Sequence, residues 1–231
     1  MDLTYLSASG FVARGGQAPA QDGASEWLAW HFTHVDNLPE IVAEGALLPS
    51  SEVDPVVNVA NRGVKERRAT IRVDPDADYP ESVVSEHVPF YIAAKSPMLY
   101  VVNRGHDDYD GGCDDLVFLG FVLEDLALSD AVWCVSDQNA ATSRVAFTRD
   151  LETLGTFVDF DLLCQRMWRN TLDDPDRQSR RAAEVLVYAE FPLEMVQVVV
   201  AKNERTLETA REAFEGVGGD RQYHVVRELF Y

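Results

Sequence analysis

Two groups of residues have types and spacings that could support chemistry. His31 and His34 have the three-residue spacing of some metal-binding pairs, but the residues around them predict a strand, where such side chains point to opposite faces. No second Cys/His pair completes a set of four ligands, so the sequence predicts no metal site. Glu184 follows Arg180 and Arg181 and opens a strongly apolar segment. From periodicity alone, a glutamate at the edge of a strand, paired with arginine, remains the simpler interpretation.

Other common signatures of catalysis are missing from the sequence. Neither of the phosphate-binding glycine loops, GxGxxG and GxxxxGK followed by Ser or Thr, occurs in it. His106 and Cys113 share one loop, but they too lack the further ligands of a zinc site. Interpretations as a P-loop enzyme, a glycoside hydrolase or a triad hydrolase therefore have no supporting motif.

Length and composition predict one globular domain. The chain has 231 residues, of which 46% are hydrophobic and 26% charged, and these are ordinary values for a protein with a substantial core. Residues 1–24, rich in Gly, Ala and Ser, predict a loose N-terminal extension, and residues 25–231 a single domain. Three scattered cysteines without a CxxC pair indicate a reducing compartment. With no apolar run of about 20 residues and no secretory leader, we expect a cytoplasmic protein that does not enter a membrane.

The net charge of −19 argues against a nucleic-acid partner, because binders of nucleic acid normally carry a basic surface. A local cluster of arginines can still act within a Debye length of about 8–10 Å. The chain has two such clusters, one around Lys65, Arg67, Arg68 and Arg72 and one between residues 166 and 181. A nucleic-acid partner therefore remains compatible with the net charge only if these clusters face the nucleic acid.

Short strands alternate with short helices without the regular order of a doubly wound sheet, which predicts an α+β fold. The predicted strands cover residues 27–34, 88–92, 116–122, 131–136, 184–191, 195–201 and 224–231. The predicted helices cover residues 38–44, 161–170 and 206–215, the last of them capped by Thr206.

Four blocks occur in an order and spacing that resemble the DarT family, the DNA ADP-ribosyltransferase toxins of bacterial toxin–antitoxin pairs. The blocks are His31-Phe-Thr-His-Val-Asp-Asn37-Leu, Glu66-Arg-Arg68, Val88-Pro-Phe-Tyr-Ile-Ala-Ala-Lys-Ser-Pro-Met-Leu-Tyr100 and Arg181-Ala-Ala-Glu184-Val-Leu-Val-Tyr-Ala-Glu-Phe-Pro192. The resemblance extends from about Trp30 to the end of the printed chain. It implies an ADP-ribosyltransferase-like core of two small β-sheets around an NAD⁺ cleft, with peripheral helices.

The resemblance also assigns roles to residues. Glu184 matches the family's catalytic carboxylate, which would hold the ribose 2′-hydroxyl and stabilise an oxocarbenium-like transition state. Arg68 matches its second catalytic residue, an always-charged group suited to the NAD⁺ pyrophosphate or to the incoming base. The residues expected to contact NAD⁺ as co-substrate are His31, Thr33, Asn37, Gly45, Tyr91 and Arg68. For Tyr91, packing in the core is an equally good explanation.

Contact with DNA is expected from the basic cluster before Glu184 and from two loops. The residues expected to bind DNA are Lys95, Asn139, Arg166, Arg169, Arg177 and Arg180. Trp168 lies among them and could stack on exposed bases. Two positions depart from the family pattern: Asn139 stands where histidine is more usual, and Ala94-Lys95 replaces Pro-Arg. Both concern recognition of the acceptor rather than NAD⁺ chemistry.

The resemblance implies a pentosyltransferase that attaches ADP-ribose to a base in single-stranded DNA, with thymidine as the favoured base. Such an enzyme would act as a toxin that blocks replication, and a macrodomain antitoxin would reverse the modification. Guanosine in DNA, an RNA, or a protein remains an alternative acceptor. The net charge of −19 favours RNA or protein as the acceptor. A binding module that kept the fold without the activity is the third possibility, against which the retention of both Glu184 and Arg68 argues.

Overall fold

The computed structural model describes residues 27–231. The expected loose extension over residues 1–24 lies outside the described residues, and the assignment of 25–231 to one domain stays a prediction. The strands are β1 Leu28–His34, β2 Ala46–Leu47, β3 Arg72–Val73, β4 Ser82–Val83, β5 His87–Tyr91, β6 Leu116–Val122, β7 Trp133–Ser136, β8 Phe147–Thr148, β9 Glu184–Tyr188, β10 Phe191–Pro192, β11 Val198–Ala201 and β12 Gln222–Val225. The α-helices are α1 Leu38–Glu44, α2 Arg62–Arg68, α3 Pro97–Arg104, α4 Leu123–Ala127, α5 Leu154–Phe157, α6 Phe160–Cys164, α7 Arg177–Arg180 and α8 Glu204–Ala213.

The main sheet has eight strands in the order β12-β11-β6-β1-β5-β9-β7-β8. Strand β1 pairs with β6 along its whole length, but with β5 only at Trp30 opposite Tyr91. The sheet therefore consists of two four-stranded halves that meet at a single residue pair. The predicted α+β class is confirmed, and the two expected small sheets are these halves of one sheet. Two further two-stranded sheets, β2 with β10 and β3 with β4, lie outside it.

Aromatic packing holds the two halves together. Trp30, Phe118 and Phe121 from one half and Phe90 from the other are almost completely buried. The rings of Phe90 and Phe121 meet edge to face with centroids 4.7 Å apart, a favourable geometry for aromatic pairs. Gly120 lies opposite Trp30, and a Cβ there would come within 2.7 Å of the indole ring, so only glycine fits. One continuous core thus spans the junction between the halves.

Several predicted elements end earlier than the sequence pattern indicates. The strand predicted over 184–191 ends at Tyr188 because Ala189 has a left-handed backbone conformation, with φ of 64°. The helix predicted over 161–170 is confirmed only up to Cys164, because the helix covers Phe160–Cys164 and the next residue is extended. The last predicted strand, 224–231, is likewise shorter, since β12 ends at Val225.

Helix α8 begins with a cap that differs from the predicted one. The sequence pattern predicts Thr206, but the cap is Asn203, whose Oδ1 accepts a 3.0 Å hydrogen bond from the Thr206 backbone N–H. Helix α1, in contrast, follows its prediction over 38–44 and ends at Gly45, whose φ of 75° suits glycine. Within residues 27–231, no helix is long and apolar enough to cross a membrane. All three cysteines are buried, and none of them forms a disulfide within the described residues.

Candidate active site

A cavity of about 560 Å³ opens where the two halves of the main sheet meet. His31 and Thr33 of β1 line it from one half, and Tyr91 of β5 lines it from the other. Arg68, at the end of α2, forms part of the cavity wall. The junction therefore brings together residues from three distant parts of the sequence around a space large enough for a small-molecule ligand.

Glu184 and Arg68 form a buried ion pair beside this cavity. Nη1 of Arg68 donates a 2.7 Å hydrogen bond to Oε2 of Glu184, whose side chain is only 1% exposed. Glu184 also lies opposite Tyr91 in the pairing of β5 with β9, which places it at the cavity end of its strand. The pairing with arginine that periodicity favours is present, but the partner is the distant Arg68 rather than a neighbour such as Arg180 or Arg181, and both groups are buried.

Ser136 fixes the backbone of Glu184. Its Oγ accepts a 3.0 Å hydrogen bond from the Glu184 N–H and donates one of 2.7 Å to the carbonyl of Gln138. The Ala140 N–H lies 3.4 Å from Glu184 Oε1, the carboxylate oxygen that Arg68 does not bind. The carboxylate is therefore held from the backbone and at both oxygens, which is the rigidity that stabilisation of a transient charge requires.

Arg68 keeps one donor uncommitted. Its Nη2 is buried and has no hydrogen-bond partner within the described part of the chain. A buried donor without a partner is unfavourable, and proteins rarely keep one unless a ligand uses it. Because Arg68 lines the cavity, this N–H can bind an acceptor inside it, and the anionic pyrophosphate of NAD⁺ has oxygens of that kind.

His31 presents a defined face to the cavity. Its Nδ1 lies 3.0 Å from the carbonyl of Pro89, and a carbonyl can only accept, so Nδ1 carries the proton. Burial lowers the pKa of His31 from its ordinary value, and the positive charge of Arg68 lowers it further. The imidazole is then neutral with Nε2 as an acceptor, which suits a ribose hydroxyl.

Thr33 and Asn37 line the same cavity but are joined to each other. Asn37 Nδ2 donates to Thr33 Oγ1 at 3.0 Å and to the carbonyl of Val57, while its Oδ1 accepts from the Val57 N–H. These bonds anchor the loop before α2 over the cavity. Gly45, by contrast, does not line the cavity; it ends α1, and its neighbours Glu44 and Ala46 contribute to the wall instead.

Tyr91 packs in the core and also lies at the cavity wall. Its ring is parallel to that of Phe32 within 15°, with centroids 6.0 Å apart, so one face packs in the interior. The residue also lines the cavity. Burial, with the nearby Glu184 charge, raises the pKa of Tyr91, so its hydroxyl stays protonated and can donate.

The residues expected to bind DNA are not all free to do so. Arg180 is held by three carboxylates, those of Asp159, Asp174 and Asp176. Arg177 bonds to Asp174, and to Gln165 at 2.5 Å. These two arginines stabilise the loop before β9, and a DNA phosphate would have to displace carboxylates to reach them.

The other four expected DNA residues lie outside the cavity. Asn139 shapes a turn, since its Oδ1 accepts a 2.8 Å bond from the Ala141 N–H. Arg166 and Arg169 are exposed on the segment that follows α6. Lys95 is partly buried, with its ammonium 5.2 Å from the centre of the Tyr231 ring. Among the six residues expected to bind DNA, the exposed cations without a carboxylate partner in residues 27–231 are therefore Arg166 and Arg169, in the segment after α6.

Two positioning residues escape the sequence patterns. The sequence predicts Ser136 within a strand and Arg181 within a basic cluster, with no further role for either. Arg181 is in fact buried, and its guanidinium donates to the carbonyls of Leu162, Leu163 and Gln165 at the end of α6. The one available signal is that Arg181 stands three residues before a predicted apolar strand. Within residues 27–231, no group of three or more His, Cys, Asp or Glu side chains could hold a metal ion.

A divided α+β sheet with a cavity at its junction and a buried carboxylate beside it is the arrangement expected of an ADP-ribosyltransferase. The profile of one family, described as "ssDNA thymidine ADP-ribosyltransferase, DarT", matches residues 30–231. A "DNA ADP-ribosyl transferase" of Mycobacterium tuberculosis is 53% identical over 231 residues, which are 100% of both chains. Another of the same description, from a Thermus species, is 29% identical and covers 76% of this chain and 81% of its own.

Solved structures agree with these matches. "Thermus sp. 2.9 DarT in complex with NAD+" is 25% identical, with a TM-score of 0.75, over 89% of this chain and 98% of that one. The same protein "in complex with ADP-ribosylated ssDNA" superimposes with a TM-score of 0.82, at 24% identity, over 89% and 97% of the two chains. The chain therefore belongs to the DarT family of DNA ADP-ribosyltransferases.

Proposed function

We propose that this protein transfers ADP-ribose from NAD⁺ to thymidine bases in single-stranded DNA. The observation that carries the proposal is the buried Arg68–Glu184 pair beside the cavity, with Arg68 Nη2 left without a partner. Membership of a family described as acting on single-stranded DNA thymidine supports both the reaction and the acceptor. The alternative of an inactive binding module lacks support, because the ion pair is intact and fixed.

In the proposed complex, NAD⁺ occupies the cavity between the two halves of the sheet. Arg68 Nη2 donates to a pyrophosphate oxygen, and Nε2 of His31 accepts a bond from a ribose hydroxyl. Tyr91 supplies a ring face or edge for nicotinamide. Thr33 and Asn37 act less directly, by holding the loop that covers the cavity through the bonds of Asn37 to Val57.

The reaction exchanges one bond at the nicotinamide ribose for another. The C1′–N bond breaks, nicotinamide leaves with the electron pair, and positive charge develops on the ribose. Glu184 stabilises that charge and orients the 2′-hydroxyl, while Arg68, Ser136 and the Ala140 N–H keep its carboxylate in place. Since N1 of thymine carries the deoxyribose, N3 is its remaining ring nitrogen, and it forms the new bond to C1′. N3 loses its proton, so each transfer releases nicotinamide and one proton.

Single-stranded DNA suits this site because an unpaired base reaches the cavity without being extruded from a duplex. We further propose that the enzyme works in the cytoplasm as a toxin that blocks replication, with a macrodomain antitoxin that removes the modification. A chain with net charge −19 must attract its anionic acceptor through local cations rather than overall charge.

Mass spectrometry of oligonucleotides tests the proposal. The protein is incubated with NAD⁺ and single-stranded oligonucleotides that differ only in carrying one thymine, one guanine or neither. We expect the thymine oligonucleotide to gain the mass of one ADP-ribose, with equal amounts of nicotinamide and protons released. Product on guanine alone would move the acceptor to guanosine, and product only on RNA or protein from a cell extract would overturn the DNA assignment.

A further inference from the structure

Three aromatic rings from separate segments meet at the surface. Tyr100 lies edge-on to Trp168, with ring centroids 5.8 Å apart, and to Tyr231, with centroids 5.3 Å apart. The Tyr100 side chain is 39% exposed, and Met167 next to Trp168 is 64% exposed. These three rings, which we call the aromatic surface, present apolar area that the interior of the protein does not use.

Positive charge surrounds the aromatic surface. The Lys95 ammonium lies 5.2 Å from the centre of the Tyr231 ring, and Arg166 is exposed nearby. Burial lowers the pKa of Lys95, and the charges of Arg166 and Arg181 lower it further, so all three cations lie close together. The carboxylate of Glu228 acts on the pKa of Lys95 in the opposite direction. In a chain of net charge −19, this is a local excess of cations.

The aromatic surface adjoins the catalytic end of β9. The carbonyl of Lys95 accepts hydrogen bonds of 3.3 Å from both Arg181 Nε and the Tyr231 hydroxyl. Arg181 precedes Glu184 by three residues, which limits their Cα separation to about 11 Å. The Ile92 N–H donates to the Ala183 carbonyl, which continues the pairing of the two chain segments past β5. The rings therefore lie within reach of the nucleotides next to a base that is bound at Glu184.

We propose that the aromatic surface binds the bases next to the target nucleotide by stacking, and that Lys95 and Arg166 contact their phosphates. This inference rests on the proposed acceptor being single-stranded DNA. Aromatic rings beside cations are how proteins hold single strands without reading sequence, because every base has a π-face. The surface thus supplies the affinity that the overall charge opposes. A protein acceptor would not require a group of cations beside the site of ADP-ribose transfer.

A double-mutant cycle tests the stacking. The protein variants are Trp168→Ala and Tyr100→Ala, and the DNA variants carry an abasic residue at each position beside the single thymine in turn. Either protein change should raise the KM for the intact oligonucleotide about tenfold, as the loss of one stacked base does. At the stacked position, the abasic change should raise the wild-type KM by the same factor but have no further effect in the variant.

Tyr223→Ala is the matched control, because Tyr223, like Tyr231, has a cation above its ring, the Arg211 guanidinium at 4.6 Å, but lies on the outermost strand β12. Its KM for the oligonucleotide should stay within twofold of wild type. Tyr100→Leu keeps apolar volume without a π-face, and it replaces Tyr100→Ala if that variant does not fold. The proposal would be overturned if, at every position, the effects of the protein change and the DNA change on KM simply multiplied. It would also be overturned if Tyr223→Ala raised the KM as much as Trp168→Ala does.

Binding measured by fluorescence anisotropy separates this inference from the proposed activity. A labelled oligonucleotide should bind the wild type more tightly than Trp168→Ala whether or not product forms. Lys95→Gln combined with Arg166→Gln should reduce the slope of log affinity against log salt by about 0.7 for each phosphate that the variant no longer neutralises. Tight binding without product would reject the transfer reaction and keep the surface. Equal binding of the oligonucleotide by wild type and variants would reject the role of the aromatic surface in DNA binding. Tight binding of a protein at this surface, in place of DNA, would assign the surface to a protein partner.

Discussion

Nη1 of Arg68 donates a 2.7 Å hydrogen bond to Oε2 of Glu184 across 116 positions of sequence. The exposed fractions of the two side chains are 8% and 1%, so neither charge is compensated by water. Removal of one member of such a pair commonly costs about 3–5 kcal/mol, because the other charge stays buried. Because we propose that the same pair takes part in ADP-ribose transfer, each variant of it needs a measurement of both activity and stability.

Glu184→Gln should reduce the rate of ADP-ribose transfer by a factor of about 100 or more, because a neutral amide stabilises positive charge on the ribose poorly. The amide oxygen can still accept from Arg68, so the variant should fold with lower stability. Initial rates and urea unfolding measure the two effects. Glu190→Gln, which changes an exposed glutamate close by, should leave both near wild type. A Glu184→Gln rate within threefold of wild type would remove this residue from the proposed mechanism.

Arg68→Lys should raise the KM for NAD⁺ about tenfold or more. Lysine keeps the charge, but its ammonium lacks the planar pair of donors that would reach Glu184 and the pyrophosphate together. Arg67→Lys is the matched control, since Arg67 is the exposed neighbour in the same turn. NAD⁺ titrations at saturating oligonucleotide measure the change. Equal KM values for the two lysine variants would show that Arg68 Nη2 does not bind the co-substrate.

Arg181→Met should lower the free energy of unfolding by at least about 3 kcal/mol, because hydrogen bonds to a charged group contribute about 1.5–3 kcal/mol each. The guanidinium donates to three carbonyls at the end of α6 and to the carbonyl of Lys95. Burial lowers its pKa to about 10, so it remains charged at neutral pH. Arg169→Met, at an exposed arginine, should have almost no effect in the same urea titration. Similar decreases for both variants would disprove the buried role.

Stability should fall as pH drops from about 6.5 to about 4, and His87 should account for much of the change. The Tyr79 hydroxyl lies 2.9 Å from His87 Nε2, and Nδ1 donates to the Val83 carbonyl, so the neutral ring has hydrogen-bond partners at both nitrogens. Burial lowers its pKa to about 4, whereas the unfolded chain takes up a proton near 6.5. Within this window the unfolded state binds more protons, which destabilises the fold by up to about 3 kcal/mol at the acid end.

His87→Gln should flatten this dependence between about pH 4.5 and 6.5, the range in which the two states differ in protonation. Urea unfolding at half-unit steps of pH measures it. His34→Gln, at a partly exposed histidine, should keep the wild-type slope. If the slope of His87→Gln equals that of wild type, another group must titrate in the window.

Local patterns in the sequence are enough for the α+β class, the family and the elements with strong signals. Helix α1 has its Pro near the start and Gly45 at its end, and β6 is an unbroken apolar run, so their positions follow from the residues they contain. The motifs around His31, Arg68 and Glu184 are the basis of the proposed site, because the proposed chemistry requires those residue types.

How those residues meet depends on the three-dimensional arrangement of the chain. Arg68 pairs with Glu184 because α2 ends at the junction of the two half-sheets, and no local pattern encodes a contact between positions so far apart. The same reason explains the early end of α6, whose last carbonyls bond to Arg181, and the pairing of Arg177 and Arg180 with aspartates within the protein. A cation in a sequence shows a charge; the fold determines whether that charge is buried, paired or free to bind DNA.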